Sequence, residues 1–189
     1  MRELALHILD VVENALEADA RNIELIVLED YATDRLTITV RDDGRGMDDE
    51  TMSRVRDPFY TTRTTRHVGL GIPLLDAAAE RCAGGLEIYS SPGRGTTLTA
   101  TFQHSHIDRA PLGDMPGTLM GILLREQAFD LSYAHHIRAG SCEHLFELDT
   151  REIKQQLGDL PLATPAVRRW LGEYIAQGER GLEEKACQS

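Results

Sequence analysis

The sequence has few cysteines and no long apolar run, and each of these absences excludes a class of protein. Its three cysteines, Cys82, Cys142 and Cys187, lie far apart and are odd in number. This spacing provides neither a disulfide framework nor a zinc-ligand pattern, which favours a reducing compartment. No apolar run approaches the roughly 18 residues of a membrane span, and the residues after Met1 lack a signal-peptide layout. We therefore expect a cytoplasmic protein without membrane contacts.

Positive charge is also scarce. The chain has 20 Lys and Arg residues against 31 Asp and Glu residues, so its formal net charge is −11. Because non-specific nucleic-acid binding needs a basic surface, we expect no nucleic-acid partner. A nucleotide is not excluded, because a phosphate site needs only local hydrogen-bond donors. The length of 189 residues, 41% of them hydrophobic, allows one to one and a half domains with a core.

The hydrophobic pattern of residues 1–103 predicts an α+β fold, a two-layer α/β sandwich with helices on one face of a sheet. Helical spacing predicts helices at residues 2–18, 48–56 and 70–81. Alternating apolar and polar residues predict two strand pairs, Asn22–Glu29 with Arg35–Arg41 and Gly85–Ser90 with Thr96–Gln103. The polar segment Asp57–Val68 is interpreted as a mobile loop.

A change in composition over residues 104–117 predicts a linker. Beyond it we expect a small α/β C-terminal extension over residues 118–178, followed by a charged, flexible tail over residues 179–189. The predicted elements of the extension are a helix, two strands and two helices, at 118–127, 129–137, 143–148, 150–157 and 165–177.

Four short stretches carry most of the functional signal. In order they are Asp10-Val11-Val12-Glu13-Asn14-Ala15, Asp42-Asp43-Gly44-Arg45-Gly46-Met47, Gly69-Leu70-Gly71 and Gly93-Arg94-Gly95-Thr96-Thr97. They resemble the N box and three glycine boxes of the gyrase, heat-shock chaperone, histidine kinase and MutL ATPase superfamily. Each box alone is a weak signal, whereas four in this order are strong. The resemblance implies a Bergerat-type fold over residues 1–103 that binds ATP and Mg²⁺.

The first stretch supplies the candidate metal ligand and catalytic base. The resemblance implies that Asn14 binds Mg²⁺, which prefers oxygen ligands beside nucleotide phosphates; the alternative is an ordinary polar residue of a helix. Asp10 shares the helix face of Asn14. It stands where ATP-hydrolysing relatives usually have a glutamate that activates water, and a misplacement of about an ångström can cost ~100-fold in rate. Glu13 is the other candidate base. His7 shares this face, or is simply a surface or half-buried residue.

The second stretch combines a carboxylate with a glycine turn after a strand. Asp42 can accept a hydrogen bond from the adenine amino group while the backbone of Gly44 and Gly46 approaches the ring. Guanine presents an acceptor there, so a carboxylate selects ATP over GTP. The alternative is a simple turn. The resemblance adds Thr96 near the same adenine edge and Met47 against the base.

The segment Pro58–Arg63 resembles the F box of bacterial histidine kinases. Backbone amides of a glycine loop that opens a helix can cradle phosphates. Candidate nucleotide-binding residues of this region are Phe59, Thr62, Arg63, Gly69, Leu70 and Gly71. Arg63 either adds charge near the γ-phosphate or is a solvated loop cation. Histidine kinases often have a glycine at the position of His67, where this chain departs from them.

His104, His106 and Asp108 alternate along the chain, and alternate residues of a strand point the same way. They are candidate metal ligands, with His135, His136 and His144 as further ligands if the fold brings them close. The alternative is a polar connector between domains.

The plan of the chain resembles a standalone ATPase domain with a C-terminal extension, as in anti-sigma-factor kinases. Because only thirteen residues precede Asn14 in this sequence, we expect no phosphorylated helical hairpin of the sensor-kinase type before it. The family's usual opening strand is also absent, and a partner or the C-terminal segment could supply what is lost.

Two functions fit this sequence. One is an ATP-dependent protein kinase or slow ATPase acting on a partner protein. The other is a non-catalytic, ATP-gated switch or anti-sigma-like binding module. We expect a protein partner in both cases, and a homodimer is possible. The acidity and small size disfavour a role in DNA mismatch repair or topology.

Overall fold

A computed structural model describes residues 3–57, 71–125, 127–140 and 142–186. These residues form one six-stranded sheet with helices packed on it. The elements in chain order are α1 (Leu4–Glu17), β1 (Asn22–Asp30), β2 (Arg35–Asp42), α2 (Asp49–Arg54), α3 (Gly71–Arg81), β3 (Gly85–Ser90), β4 (Thr96–Gln103), α4 (Met115–Leu123), β5 (Asp130–Ala139), β6 (Cys142–Asp149), α5 (Thr150–Leu157) and α6 (Pro165–Ala186). The predicted α+β class is confirmed.

The strand order of the sheet is β3-β4-β2-β1-β5-β6. Neighbouring strands are antiparallel, except that β1 and β5 are parallel, with Leu25 beside Tyr133. The strands of the C-terminal extension therefore do not form a sheet of their own. They continue the sheet of the first hundred residues, and β5 gives β1 its second neighbour from the C-terminal segment.

The core lies between the sheet and a layer of helices in which α1 contacts α3 and α4, and α4 contacts α6. Alternate strand residues point into this core, as the period of two requires. On β2, for example, Leu36, Ile38 and Val40 are at most 2% exposed, whereas Thr37 and Thr39 lie on the other face and are partly exposed. No helix of the described ranges is long and apolar enough to cross a membrane.

Helices α4 and α6 differ most from their expected bounds. Helix α4 begins at Met115 rather than at residue 118, because Asp114 caps it by accepting a hydrogen bond from the Gly117 amide at 2.9 Å. The sequence places a flexible tail from residue 179, whereas α6 continues to Ala186.

The continuation of α6 depends on close packing at Gly178. A Cβ at this position would lie 2.2 Å from the ring of Phe146, so glycine lets the helix approach β6. Glu179 and Leu182 are then buried at 7% and 3% exposure. Burial of these two side chains holds the helix past the glycine that the sequence pattern takes as its end.

A hydrogen-bonded group of titratable side chains joins β1, β5 and α6. The imidazole of His135 lies 2.9 Å from the Glu179 carboxylate and 3.2 Å from the Glu29 carboxylate, and the Tyr133 hydroxyl donates to Glu179 at 2.9 Å. His104, after β4, contacts Glu29 at 2.6 Å. Buried charges persist only when they are paired in this way, so this group fixes α6 on the sheet.

Ionisation of the group follows from these partners. Burial alone would lower the pKa of His135, but hydrogen bonds to Glu179 and Glu29 outweigh burial and raise it to about 9. Burial alone would raise the pKa of Glu29, but hydrogen bonds from His135 and His104 lower it to about 2. At pH values between about 2 and about 9, the His135 imidazole and the Glu29 carboxylate are therefore both charged.

This pairing predicts that the protein loses stability in alkaline solution. The folded-state pKa of His135 is above its ordinary value of 6.5, so its contribution is complete below pH 6.5 and is lost as the pH rises through about 9. In urea unfolding between pH 6.5 and 9, we expect the free energy of unfolding to fall by a few kcal/mol. The variant His135→Gln should be less stable and should lose much of this slope.

The variant His106→Gln is the matched control, because His106 lies outside this group. It should keep the slope of the natural protein. Equal slopes for the natural protein and for His135→Gln would contradict the assignment.

Candidate functional site

The N-box stretch and Gly71, the last residue of the third stretch, meet where α1 faces the start of α3. A Cβ at Gly71 would lie 3.1 Å from the Cβ of Asp10, which is tighter than most such contacts. Asn14 follows Asp10 by one helical turn and is also half-buried. The α1 face with Asp10 and Asn14 therefore borders the beginning of α3, which is the end of the predicted phosphate loop.

Glu13 is held on a different side of α1. Its carboxylate forms an ion pair with the guanidinium of Arg125, which follows α4. Of the two candidate bases, Asp10 is the one that lies against the glycine box, and Glu13 has a cationic partner from the extension. The catalytic role of either carboxylate stays a prediction.

Asp42 ends β2 on the side of the sheet that the helices cover, in register with Val40 and Ile38. Its Oδ1 accepts a hydrogen bond from the Gly44 amide at 2.8 Å, which closes the turn. Burial raises the pKa of Asp42, against the hydrogen bonds it accepts. Thr96 is its cross-strand partner on β4. The predicted adenine ligands are thus adjacent in the sheet.

The turns that contain Gly46 and Gly95 pack closely against each other beside Asp42. Gly46 and Gly95 both have positive φ, at 68° and 77°. A Cβ at Gly46 would lie 2.0 Å from the Ser91 carbonyl oxygen, and one at Gly95 would lie 1.9 Å from that of Asp42. Both positions therefore require glycine for conformation and for space. A backbone hydrogen bond from the Gly93 amide to the Arg45 carbonyl, 2.7 Å long, joins the same turns.

Ser90 is a residue of this site that the sequence reasoning missed. Its Oγ accepts from the Met47 amide at 2.9 Å, donates to the Gly95 carbonyl at 3.0 Å and lies 2.9 Å from the Thr96 hydroxyl. Ser90 thus connects both glycine turns. The available signal was its position as a polar residue at the end of β3, opposite Thr96.

Asp43 was also missed as a structural residue. Its Oδ1 accepts from the Arg21 and Asn22 amides at 2.7 and 2.8 Å, and its Oδ2 accepts from the Asn22 side chain at 2.7 Å. Although burial opposes the change, these hydrogen bonds lower the pKa of Asp43. The second carboxylate of the pair therefore ties the turn to the chain between α1 and β1.

Several predicted residues lie outside the described ranges. They are Phe59, Thr62, Arg63, His67, Gly69 and Leu70. Their roles therefore stay predictions.

His7 lies in the core, at 3% exposure, and its Nδ1 has no hydrogen-bond partner in the described part of the chain. Burial lowers its pKa to about 4, with a smaller effect of the N-terminal charge. The imidazole is therefore neutral at pH 7.

The histidines after β4 do not converge on a metal. His104 contacts Glu29, and His106 Nδ1 accepts from the Asp108 amide at 3.2 Å. Among the residues the structure describes, no group of three His, Cys, Asp or Glu side chains could hold a metal ion. The polar connector is therefore the interpretation that the contacts support.

A cavity of about 320 Å³ opens near the ends of β1 and β2. Its walls include Glu24, Arg41 and Ser132, whose alternation with buried neighbours places them on the sheet face away from the helices. Neither Asn14 nor Gly71 lines it. Asp42 does line it, so the cavity borders the Asp42 end of the candidate site but not its α1–α3 end.

Comparison with known proteins agrees with this geometry. Residues 2–106 match the family described as "Histidine kinase-, DNA gyrase B-, and HSP90-like ATPase". The sensor protein kinase FleS of Pseudomonas aeruginosa is 41% identical over 92 residues, which cover 49% of this chain and 23% of that protein. Sporulation kinase A of Bacillus subtilis is 28% identical over 96 residues, covering 50% and 15%. The chain thus spans less than a quarter of either relative.

A solved N-terminal domain of a DNA repair protein has the same fold. Its TM-score is 0.55 at 16% sequence identity, and the match covers 86% of this chain and 59% of that one. This share exceeds the residues of the family match, so the common fold includes part of the C-terminal extension. With more than half of its residues matched, the chain belongs to the histidine kinase-, DNA gyrase B- and HSP90-like ATPase family and carries an ATP-binding domain of that type.

Proposed function

We propose that this protein binds Mg-ATP between α1, α3 and the β2–β4 turns, and uses it as a protein kinase or slow ATPase on a partner protein. Close glycine packing carries the proposal: the two glycine turns beside Asp42 have no room for a Cβ, and Gly71 packs against Asp10, on the α1 face that also carries Asn14. Close backbone packing of this kind leaves polar groups in fixed positions, as a nucleotide site requires.

Adenine recognition is assigned to Asp42 and Thr96. The Asp42 carboxylate accepts hydrogen bonds from the Gly44 and Thr96 amides. A carboxylate has about four lone-pair sites on its two oxygens, so acceptor capacity is left for an amino group. Met47 is partly buried against the core and supplies an apolar surface near the turn. An amino group satisfies this acceptor, whereas the guanine carbonyl leaves it unpaired.

The metal and phosphate end is assigned to α1 and the loop before α3. The carboxamide of Asn14 is a hard oxygen donor that fits Mg²⁺. Mg²⁺ would neutralise phosphate charge there. Gly71 opens α3, so its amide and those of Gly69 and Leu70 would donate to phosphate. Asp10, beside Gly71, is the candidate to orient and deprotonate an attacking group. Phe59, Thr62 and Arg63 would complete this end.

The names of the relatives support the kinase chemistry, since both relatives compared above are called kinases. The alternative is an ATP-gated switch without catalysis. It is favoured by the contact of Glu13 with Arg125 and by the short side chain of Asp10. Phosphate release from ATP, measured with and without candidate partners, separates the two functions.

Replacing Asp42 tests adenine recognition. We expect calorimetry to show tighter binding of ATP than of GTP to the natural protein. The variant Asp42→Asn presents a donor in place of an acceptor, and should lose about 1–3 kcal/mol of ATP binding. Thr39→Ser, on the same strand but the other sheet face, is the control. Equal affinities of the natural protein for ATP and GTP would refute the assignment.

Replacing Asn14 tests the metal site. Asn14→Ala should abolish Mg²⁺-dependent phosphate chemistry and leave the melting temperature nearly unchanged, because alanine is the better helix former. Phosphate release and thermal melting are measured on the same preparation. A variant that melts several degrees lower yet keeps full activity would show that Asn14 is structural.

A further inference from the structure

Helix α1 carries Asp10 and Asn14. Residues that follow β4 contact this helix at both of its ends. At its start, the Leu4 and Ala5 amides donate to the Pro111 and Leu112 carbonyls at 3.0 and 2.8 Å. The residue before the helix, Glu3, provides no side-chain cap. Carbonyls from a distant segment therefore satisfy amides that a helix cannot satisfy itself.

At the other end, two side chains contact the last turn. Arg125 forms the ion pair with Glu13, one residue before Asn14. The Gln127 side chain donates to the Leu16 carbonyl at 2.9 Å, two residues after Asn14. Both contacts come from the segment between α4 and β5, and they lie on either side of the candidate metal ligand.

The segment that makes these contacts is itself anchored. Leu119 and Ile122 of α4 are at most 1% exposed, and α4 contacts both α1 and α6. The family match ends at residue 106, so these contacts belong to the C-terminal region of this chain. The region can therefore fix the position of α1 relative to the sheet that holds Asp42.

We propose that Arg125 and Gln127 are positioning residues for Asn14, through which the C-terminal extension sets the affinity of the site for metal-bound nucleotide. This inference rests on the proposed function. A shift of about an ångström in a positioned group can cost ~100-fold. The side chains of Arg125 and Glu13 are 47% and 26% exposed, and such pairs contribute little to stability. Their loss should therefore affect Asn14 more than folding.

The test uses the full chain and measures ATP affinity twice, with Mg²⁺ and with EDTA. We expect Arg125→Ala and Gln127→Ala each to weaken Mg-ATP binding several-fold, and the double variant to weaken it about tenfold or more. Affinity in EDTA should be unchanged, because adenine recognition at Asp42 does not depend on these contacts. Arg125→Lys keeps the charge and should restore part of the loss. Arg35→Ala, an exposed arginine of β2, is the control.

Each outcome either supports or contradicts the inference. If the variants keep the natural affinity for Mg-ATP, the inference is wrong. If both affinities fall in parallel with the melting temperature, the contacts are only structural, and the inference is also wrong. If the natural protein itself shows no Mg²⁺-dependent binding, the proposed function fails, and the inference fails with it. A loss confined to Mg-ATP supports both.

Discussion

The candidate site depends on a backbone contact between two turns. Gly46 lies against the Ser91 carbonyl and Gly95 lies against the Asp42 carbonyl, at distances that exclude any Cβ. This contact joins the ends of β2 and β4 and sets the positions of Asp42 and Thr96. Ser90 adds hydrogen bonds to both turns. A side chain at either glycine would separate the two turns, and with them the predicted adenine ligands Asp42 and Thr96.

A second constraint is the continuous sheet. Because β5 lies parallel to β1, the C-terminal extension shares the core of the ATP-binding part. Polar contacts also join the extension to the ATP-binding part, because His135 of β5 lies within hydrogen-bond distance of both Glu29 of β1 and Glu179 of α6. Partners from three elements satisfy this buried group, and removing one would leave the others charged without a partner. Changes in the extension can therefore reach β1 and α1 directly.

Much of the fold follows from local sequence pattern. The strands Gly85–Ser90 and Thr96–Gln103 were predicted with their observed bounds, because alternation and a glycine turn define them. The pairing of β5 with β1 was not predictable, because a period of two does not identify a strand's neighbour. Ser90, Asp43 and the His135 group were missed for a related reason: single polar residues acquire partners only through long-range packing.

The candidate site shows the same difference between what local motifs predict and what long-range contacts add. The motif order predicts the nucleotide site, but the contact between Glu13 and Arg125 joins residues 112 positions apart, which no local motif indicates. Arg125 holds the Glu13 carboxylate in an ion pair, so Asp10 is the better candidate base under the proposed function. Asp10 contacts Gly71 at the start of α3, where phosphate would lie. Its short side chain reaches less far than a glutamate does. Under the proposed function, this shorter reach fits slow hydrolysis of the bound nucleotide better than rapid hydrolysis.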